Sequence, residues 1–251
     1  SILAIETKIA SFHFDQVKDR DAMLTYNKFA RQDFEKLCGA FDLATYITAS
    51  QVNPKYFESV IVREPQFFAG LGKLFENFDL AAWKNWALWH LLSGAAGYLN
   101  EELVNQNFAF YGTTLSGTPK IRERWKRAIS LVEGSIGEEV GKVYVSRHFP
   151  PSSKAQVQKL VANLIEAYRQ SINELTWMGA ETKKKALEKL AKFTPKIGYP
   201  DNWRDYSKLE LNSEDLMGNI RAIAKFSRDY ELSKLAGPVN RDEWHMTPQT
   251  V

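Results

Sequence analysis

The 251 residues predict a mainly α fold, a multi-helix lobe with one or two short edge strands. Three observations carry that expectation. Apolar residues recur at helical spacing over long runs, most plainly Val157, Leu160, Val161, Leu164, Ile165, Tyr168, Ile172 and Leu175. Start and stop residues punctuate such runs, among them Asp79, Ser213, Gly39 and the pair Gly237-Pro238. Before residue 190 only Val60-Ile61-Val62 forms a continuous β-branched run, so nothing supports the strand–helix alternation of a doubly wound sheet.

Taken in order, Ile2, Ile5, Ile9 and Phe12 share one face of a first helix. A second helix is expected from Asp19 to Cys38, carried by Leu24, Phe29, Phe34 and Leu37 and stopped by Gly39. A short helix follows over Leu43 to Ala49. The Val60–Val62 run reads as an edge strand because Pro65 follows and lacks a ladder donor. Pro65 then opens a helix through Phe75. Asp79 is the expected N-cap of a helix from Leu80 to Leu99, with Trp83, Trp86 and Trp89 every third residue. Such a row can stack a ligand, but at this spacing we expect a face buried in the core. Gly94 and Gly97 beside Ala95 and Ala96 predict close helix approach.

Asn100 to Phe110 continues helically. Pro119, at a first helical position, opens a helix over Lys120 to Val132. After Gly137 a short helix leads to His148, and Pro150-Pro151 breaks the chain. Ser153 and Gln156 form a capping box for the helix Lys154 to Trp177. Gly179 then separates a helix from Ala180 to about Lys192, with Glu181 in its first turn where the dipole favours an acid. Ser213-Glu214-Asp215 starts a last helix bearing Leu216, Ile220, Ile223, Tyr230 and Leu235.

Composition narrows the function classes. With 44% hydrophobic and 13% aromatic residues the chain can build a sizeable core and is not disordered. Its 33 basic and 30 acidic residues leave a net charge of +3, which argues for neither a nucleic-acid nor an anionic-membrane partner. Cys38 is the single cysteine, so no intrachain disulfide can form, and no asparagine lies in a glycosylation sequon. No stretch of about 20 apolar residues exists, hence no membrane segment is expected.

Candidate chemistry is sparse. The four histidines, His13, His90, His148 and His245, form no H-E-x-x-H pattern, the helical spacing that puts two imidazoles on one zinc ion. We therefore expect no metal ligand and no catalytic residue in this chain. Gly70-Leu-Gly72 carries two glycines of a phosphate loop but no third, and sits within an amphipathic pattern. Cys38 reads as a small buried hydrophobe. The neighbours Glu101 and Glu102, like Glu138 and Glu139, point apart on a helix rather than forming an acid/base pair. Arg122, Arg124, Lys126 and Arg127 around Trp125, and Lys183 to Lys185, read as solvated or ion-paired faces.

One set of segments says more. Leu175-Thr-Trp177-Met178-Gly179, the Thr182-Lys helix after it and Ile197-Gly198-Tyr199-Pro200 resemble a signature stretch of the neprilysin family of zinc metallopeptidases. Tyr111-Gly112, Arg124-Trp125-Lys126-Arg127, Val140-Gly141-Lys142-Val143-Tyr144-Val145 and Val239-Asn240-Arg241-Asp242-Glu243-Trp244 agree in the same order. Gly179 stands where the family has aspartate, and Ala128 where disulfide-rich animal ectodomains carry cysteine. The second departure favours a bacterial, cytoplasmic or unanchored relative.

The resemblance implies that residues 1–238 form the helical, non-catalytic lobe that encloses oligopeptide substrates, and that 239–251 begin the connection into a catalytic lobe. Zinc, its ligands and the substrate-anchoring strand would belong to that further lobe, the main partner of this one. No catalytic, metal or substrate residue is carried over onto this chain. Cut from its partner, such a lobe would expose apolar surface and could self-associate. Two other functions remain open at this point: a free-standing helical peptide- or protein-binding protein without a catalytic half, and, third, a nucleic-acid binder.

Overall fold

The computed structural model describes residues 2–77 and 79–250; Ser1 and Val251, which end two of the expected segments, lie outside them. The fold is mainly α with one two-stranded antiparallel ribbon among the described residues. It divides into two compact units, Ser1–Ile121 with Asp229–Gly237, and Arg122–Arg228 with Pro238–Val251.

In the first unit α1 (Ile2–Ala10) packs on α5 (Pro65–Glu76) and α6 (Leu80–Ala95). The helix expected over 19–38 is not continuous. A 3₁₀ turn (Lys18–Arg20) leads to α2 (Ala22–Thr25), whose N-cap Asp21 accepts from Met23 N at 2.8 Å. Strand β1 (Asn27–Ala30) follows, and only then α3 (Arg31–Cys38). A tertiary partner overrides the helical pattern. The β-branched strand β2 (Ser59–Val62) needs a backbone ladder, and β1 supplies it, with Asn27 opposite Val62 and Ala30 opposite Ser59. The Asn27 side-chain amide also donates to Val62 O at 3.1 Å.

Against this ribbon α3, α4 (Leu43–Ala49) and α5 enclose the core: Phe34, Cys38, Leu43, Ile47 and Val62, ringed by Phe29, Leu37, Phe41, Phe57, Val60 and Phe68. Phe34 meets Phe68 edge to face at 4.9 Å. Helices α3 and α5 come so close that a Cβ on Gly72 would lie 2.2 Å from Cys38 O. Gly70 likewise faces the Phe12 ring, so the two glycines are packing devices within a helix. The close approach foreseen at Gly94 and Gly97 is absent: a Cβ at either would meet open space. After α6 come a 3₁₀ turn (Ala96–Tyr98), α7 (Glu101–Asn107) and a π-helical segment, Phe108–Thr114.

In the second unit α8 (Arg124–His148) starts at Arg124, four residues after the expected Lys120, and Pro119 precedes it. The break foreseen at Gly137 is a kink instead, with Ile136 at φ −130° and ψ 41°. Helix α9 (Pro151–Glu174) starts earlier than expected. Pro151, with its preset φ, occupies the first turn and Pro150 is the N-cap, so Ser153 lies inside the helix and the capping box does not form. Helix α10 (Ala180–Ala191) packs on α9. In α11 (Leu216–Ser233) Asp215 starts the helix by accepting from Gly218 N at 2.7 Å, and residues from Asp229 onward group with the first unit.

Candidate functional site

The histidines are placed separately, each with its own partner where one is seen. His13 Nδ1 lies 3.0 Å from Glu64 Oε1, and its ring stacks on Phe67 at 4.4 Å. His90 Nε2 lies 2.8 Å from Glu6 Oε1, which also accepts from the Trp86 indole. Those two hydrogen bonds, His90 first, hold the Glu6 carboxyl below its ordinary range. His148 sits beside Tyr144, and His245 is exposed. A zinc centre needs three or four converging side chains, and no group of three or more His, Cys, Asp or Glu among the described residues could hold a metal ion. The described residues do not fit a zinc site.

The remaining candidates resolve into structural roles. Cys38 is fully buried, and burial, then the Glu35 charge, pushes its thiol up to about 11, away from the thiolate a nucleophile needs. Glu138 accepts from Arg204 N at 2.6 Å while Glu139 pairs with Lys142 at 2.5 Å, so the adjacent carboxylates serve different partners. Lys126 pairs with Glu123 at 2.8 Å and lies over the Trp125 ring, which is 60% exposed. Lys183 donates to Asn173 O at 2.7 Å.

What the molecule does present is uncovered apolar surface. Helix α6 is apolar on every side, the composition of a buried helix, yet it has no buried residue. Its Trp83 packs on Phe75 and Trp86, and Trp86 on His90, but Trp89 is exposed; the tryptophan row is therefore not the core face expected. Leu88, Leu91 and Leu92 are also exposed, Leu91 at 69%. On α9 the long stripe is split. Val157, Val161, Ile165 and Ile172 are half-buried, whereas Leu160, Leu164 and Tyr168, four residues apart, form an exposed line.

The second unit also holds a concavity of about 360 Å³ bounded by Lys142, Val145, Pro151, Tyr199 and Trp203. The Tyr199 and Trp203 rings lie parallel, 6.0 Å apart, and Lys154 fixes this floor by donating to Tyr199 O and Asp201 Oδ1, each at 2.8 Å.

A helical lobe with wide uncovered faces is thus the class of protein that fold and surface define. The family model Peptidase_M13_N, described as peptidase family M13, matches residues 1–200. The chain belongs to peptidase family M13. It is 30% identical over 246 residues to a neutral endopeptidase of Lactobacillus helveticus, covering 97% of this chain and 38% of that protein. To neprilysin of Homo sapiens it is 28% identical over 264 residues, covering 97% and 35%. Among solved structures, the Mycobacterium tuberculosis zinc metalloprotease Zmp1 in its open state matches with a TM-score of 0.91 and 47% identity, over 99% of this chain and 38% of that one. PepO from Lactobacillus rhamnosis matches at 0.79 and 25%, over 96% and 38%. The chain therefore spans little more than a third of these relatives. Among the described residues no helix is long and apolar enough to cross a membrane.

Sequence reasoning missed the exposure of α6 and α9. One signal was available: a helix apolar on all faces has no side to turn to water.

Proposed function

We propose that this chain is the non-catalytic lobe of an M13 zinc metallopeptidase, and that it walls in oligopeptides which the remainder of the protein cleaves. The uncovered α6 and α9 faces carry this reading, because apolar helix faces this broad call for covering protein. Residues 1–238 form the lobe, and 239–251 the connection into the catalytic part, which follows in sequence. Zinc, when bound there, supplies an activated water for peptide hydrolysis. This chain supplies enclosure, with substrate selected by the shape of what it closes over. The bacterial relatives, the single cysteine and the lack of sequons support a bacterial, cytoplasmic setting. To test the function, a fluorogenic oligopeptide is offered to the full-length protein and to this chain alone. The full-length protein cleaves it and stops on chelation, while the chain is inert. Turnover by the chain that survives replacement of all four histidines contradicts the proposal.

A further inference from the structure

We propose that Gly137 and Gly141 are positioning residues of the parent peptidase. They seat the turn at residues 247–250 and, through it, fix where the chain enters the catalytic part. The proposal rests on the reading above that this part follows in sequence.

Between Gly237 and Met246 the chain has no helix or strand, and regular structure next appears at 248–250. There a 3₁₀ turn (Pro248–Thr250) closes through Thr250 N to Thr247 O at 3.0 Å and lies directly on α8. Gly137, Gly141 and Pro248 are all buried. A Cβ on Gly137 would stand 2.7 Å from Thr247 Cγ2, and one on Gly141 2.7 Å from Pro248 Cδ and 3.0 Å from Cγ. The Gln249 side-chain amide donates to Gly137 O at 3.1 Å, next to the kink at Ile136. Upstream, Lys196 holds Glu243 O, a second pin on the same segment. Gly134, one turn earlier on α8, has open space where its Cβ would be. Of the glycines on α8, only the two under the turn are constrained.

A methyl group at 141 must push the turn outward by about 1 Å to reach ordinary contact. Misplacing reacting groups by about 1 Å from a distant site costs up to about 100-fold in rate. The effect falls on kcat, because geometry at the reacting bond changes while zinc ligands and enclosing surface do not.

The experiment uses the full-length protein with G134A, G141A, G141A/P248A and Q249A, reading kcat, KM and bound zinc for each. We expect G134A to match wild type. G141A should lose roughly 10- to 100-fold in kcat at unchanged zinc content, and P248A should restore most of it by removing the ring atoms that clash. Should G141A fail to fold, Q249A, which deletes one hydrogen bond and adds no bulk, should still lower kcat by about 3- to 10-fold. Wild-type kcat in both G141A and Q249A, or a loss matched by lost zinc and not rescued by P248A, overturns the proposal. If the wild type cleaves no peptide, the peptidase reading is what fails. Protease nicking within 238–250 then judges the seat by itself: faster in G141A than in G134A upholds it, and equal rates refute it.

Discussion

In the first unit the ribbon and helices α3 to α5 close around large side chains, Phe34, Leu43, Ile47 and Val62, together with Cys38. In the second, the buried positions among the described residues are Gly137, Gly141, Pro200 and Pro248. One region is held by a side-chain core; in the other, glycine backbone takes up the side chains of Thr247 and Pro248. Hydrophobic burial on the scale of whole side chains stabilises the first around its ribbon, although α6 of the same unit leaves Trp89 and Leu91 exposed. The second leaves Trp125, Trp177, Leu160, Leu164 and Tyr168 at the surface, an apolar area open to a covering partner.

That contrast can be broken most forcefully by cavity formation. Ile47→Ala in the first unit should cost about 2–5 kcal/mol by denaturant unfolding. Leu164→Ala, on the exposed line of α9, should change the chain by no more than about 0.5 kcal/mol. Equal losses would mean that the second unit is packed more like the first than its exposure shows. Next comes the glycine pair of the first unit. Gly72→Ala forces a methyl against Cys38 O and should cost about 1–3 kcal/mol, whereas Gly94→Ala, facing open space in α6, should stabilise by about 0.5–1 kcal/mol.

A smaller effect is pH-dependent. Glu6 tethers α1 to α6 through His90 and Trp86, and these bonds depress its carboxyl below the ordinary value of 4.5. A depressed folded-state value means that the contribution is complete above about 4.5 and is lost as pH falls through the folded value. Hydrogen exchange in α1 should therefore accelerate below about pH 4.5 in wild type, and Glu6→Gln should lack that acid-dependent step. An identical pH profile for both would assign the anchoring of α1 to apolar contacts alone. Last, Asp42 caps α4 by accepting from Thr45 N at 2.9 Å and Thr45 Oγ1 at 2.6 Å, so Asp42→Ala should cost about 1 kcal/mol in a thermal melt.

Helices whose ends carry local signals were legible in the sequence. Asp79 caps α6 as read, Pro65 opens α5, and α10 keeps its expected span to within a residue. Misreadings arose where a distant partner decides. Strand β1 exists because β2 pairs with it, and no local spacing around Phe29 reports that. The Ser153–Gln156 box has the right residues, but Pro150-Pro151 had already started the helix one turn earlier. At the surface, the stripes of α6 and α9 were visible as patterns, yet a pattern does not say whether its cover lies within the same chain. The seat under Pro248 was hidden for a similar reason: Gly137 and Gly141 meet residues more than 100 positions away.

Labelling of one engineered thiol tests most directly that this lobe is completed by the rest of its protein. Leu91, on the outward side of α6, is replaced by cysteine, with native Cys38 buried and its thiol shifted up to about 11, so that background reaction is low. Rates are read in this chain and in the full-length protein, each against its unsubstituted parent. The account predicts fast reaction in the isolated chain and at least about tenfold protection in the full-length protein. Equal rates in the two would contradict it, leaving α6 a free surface and the chain something other than a covered part of a peptidase.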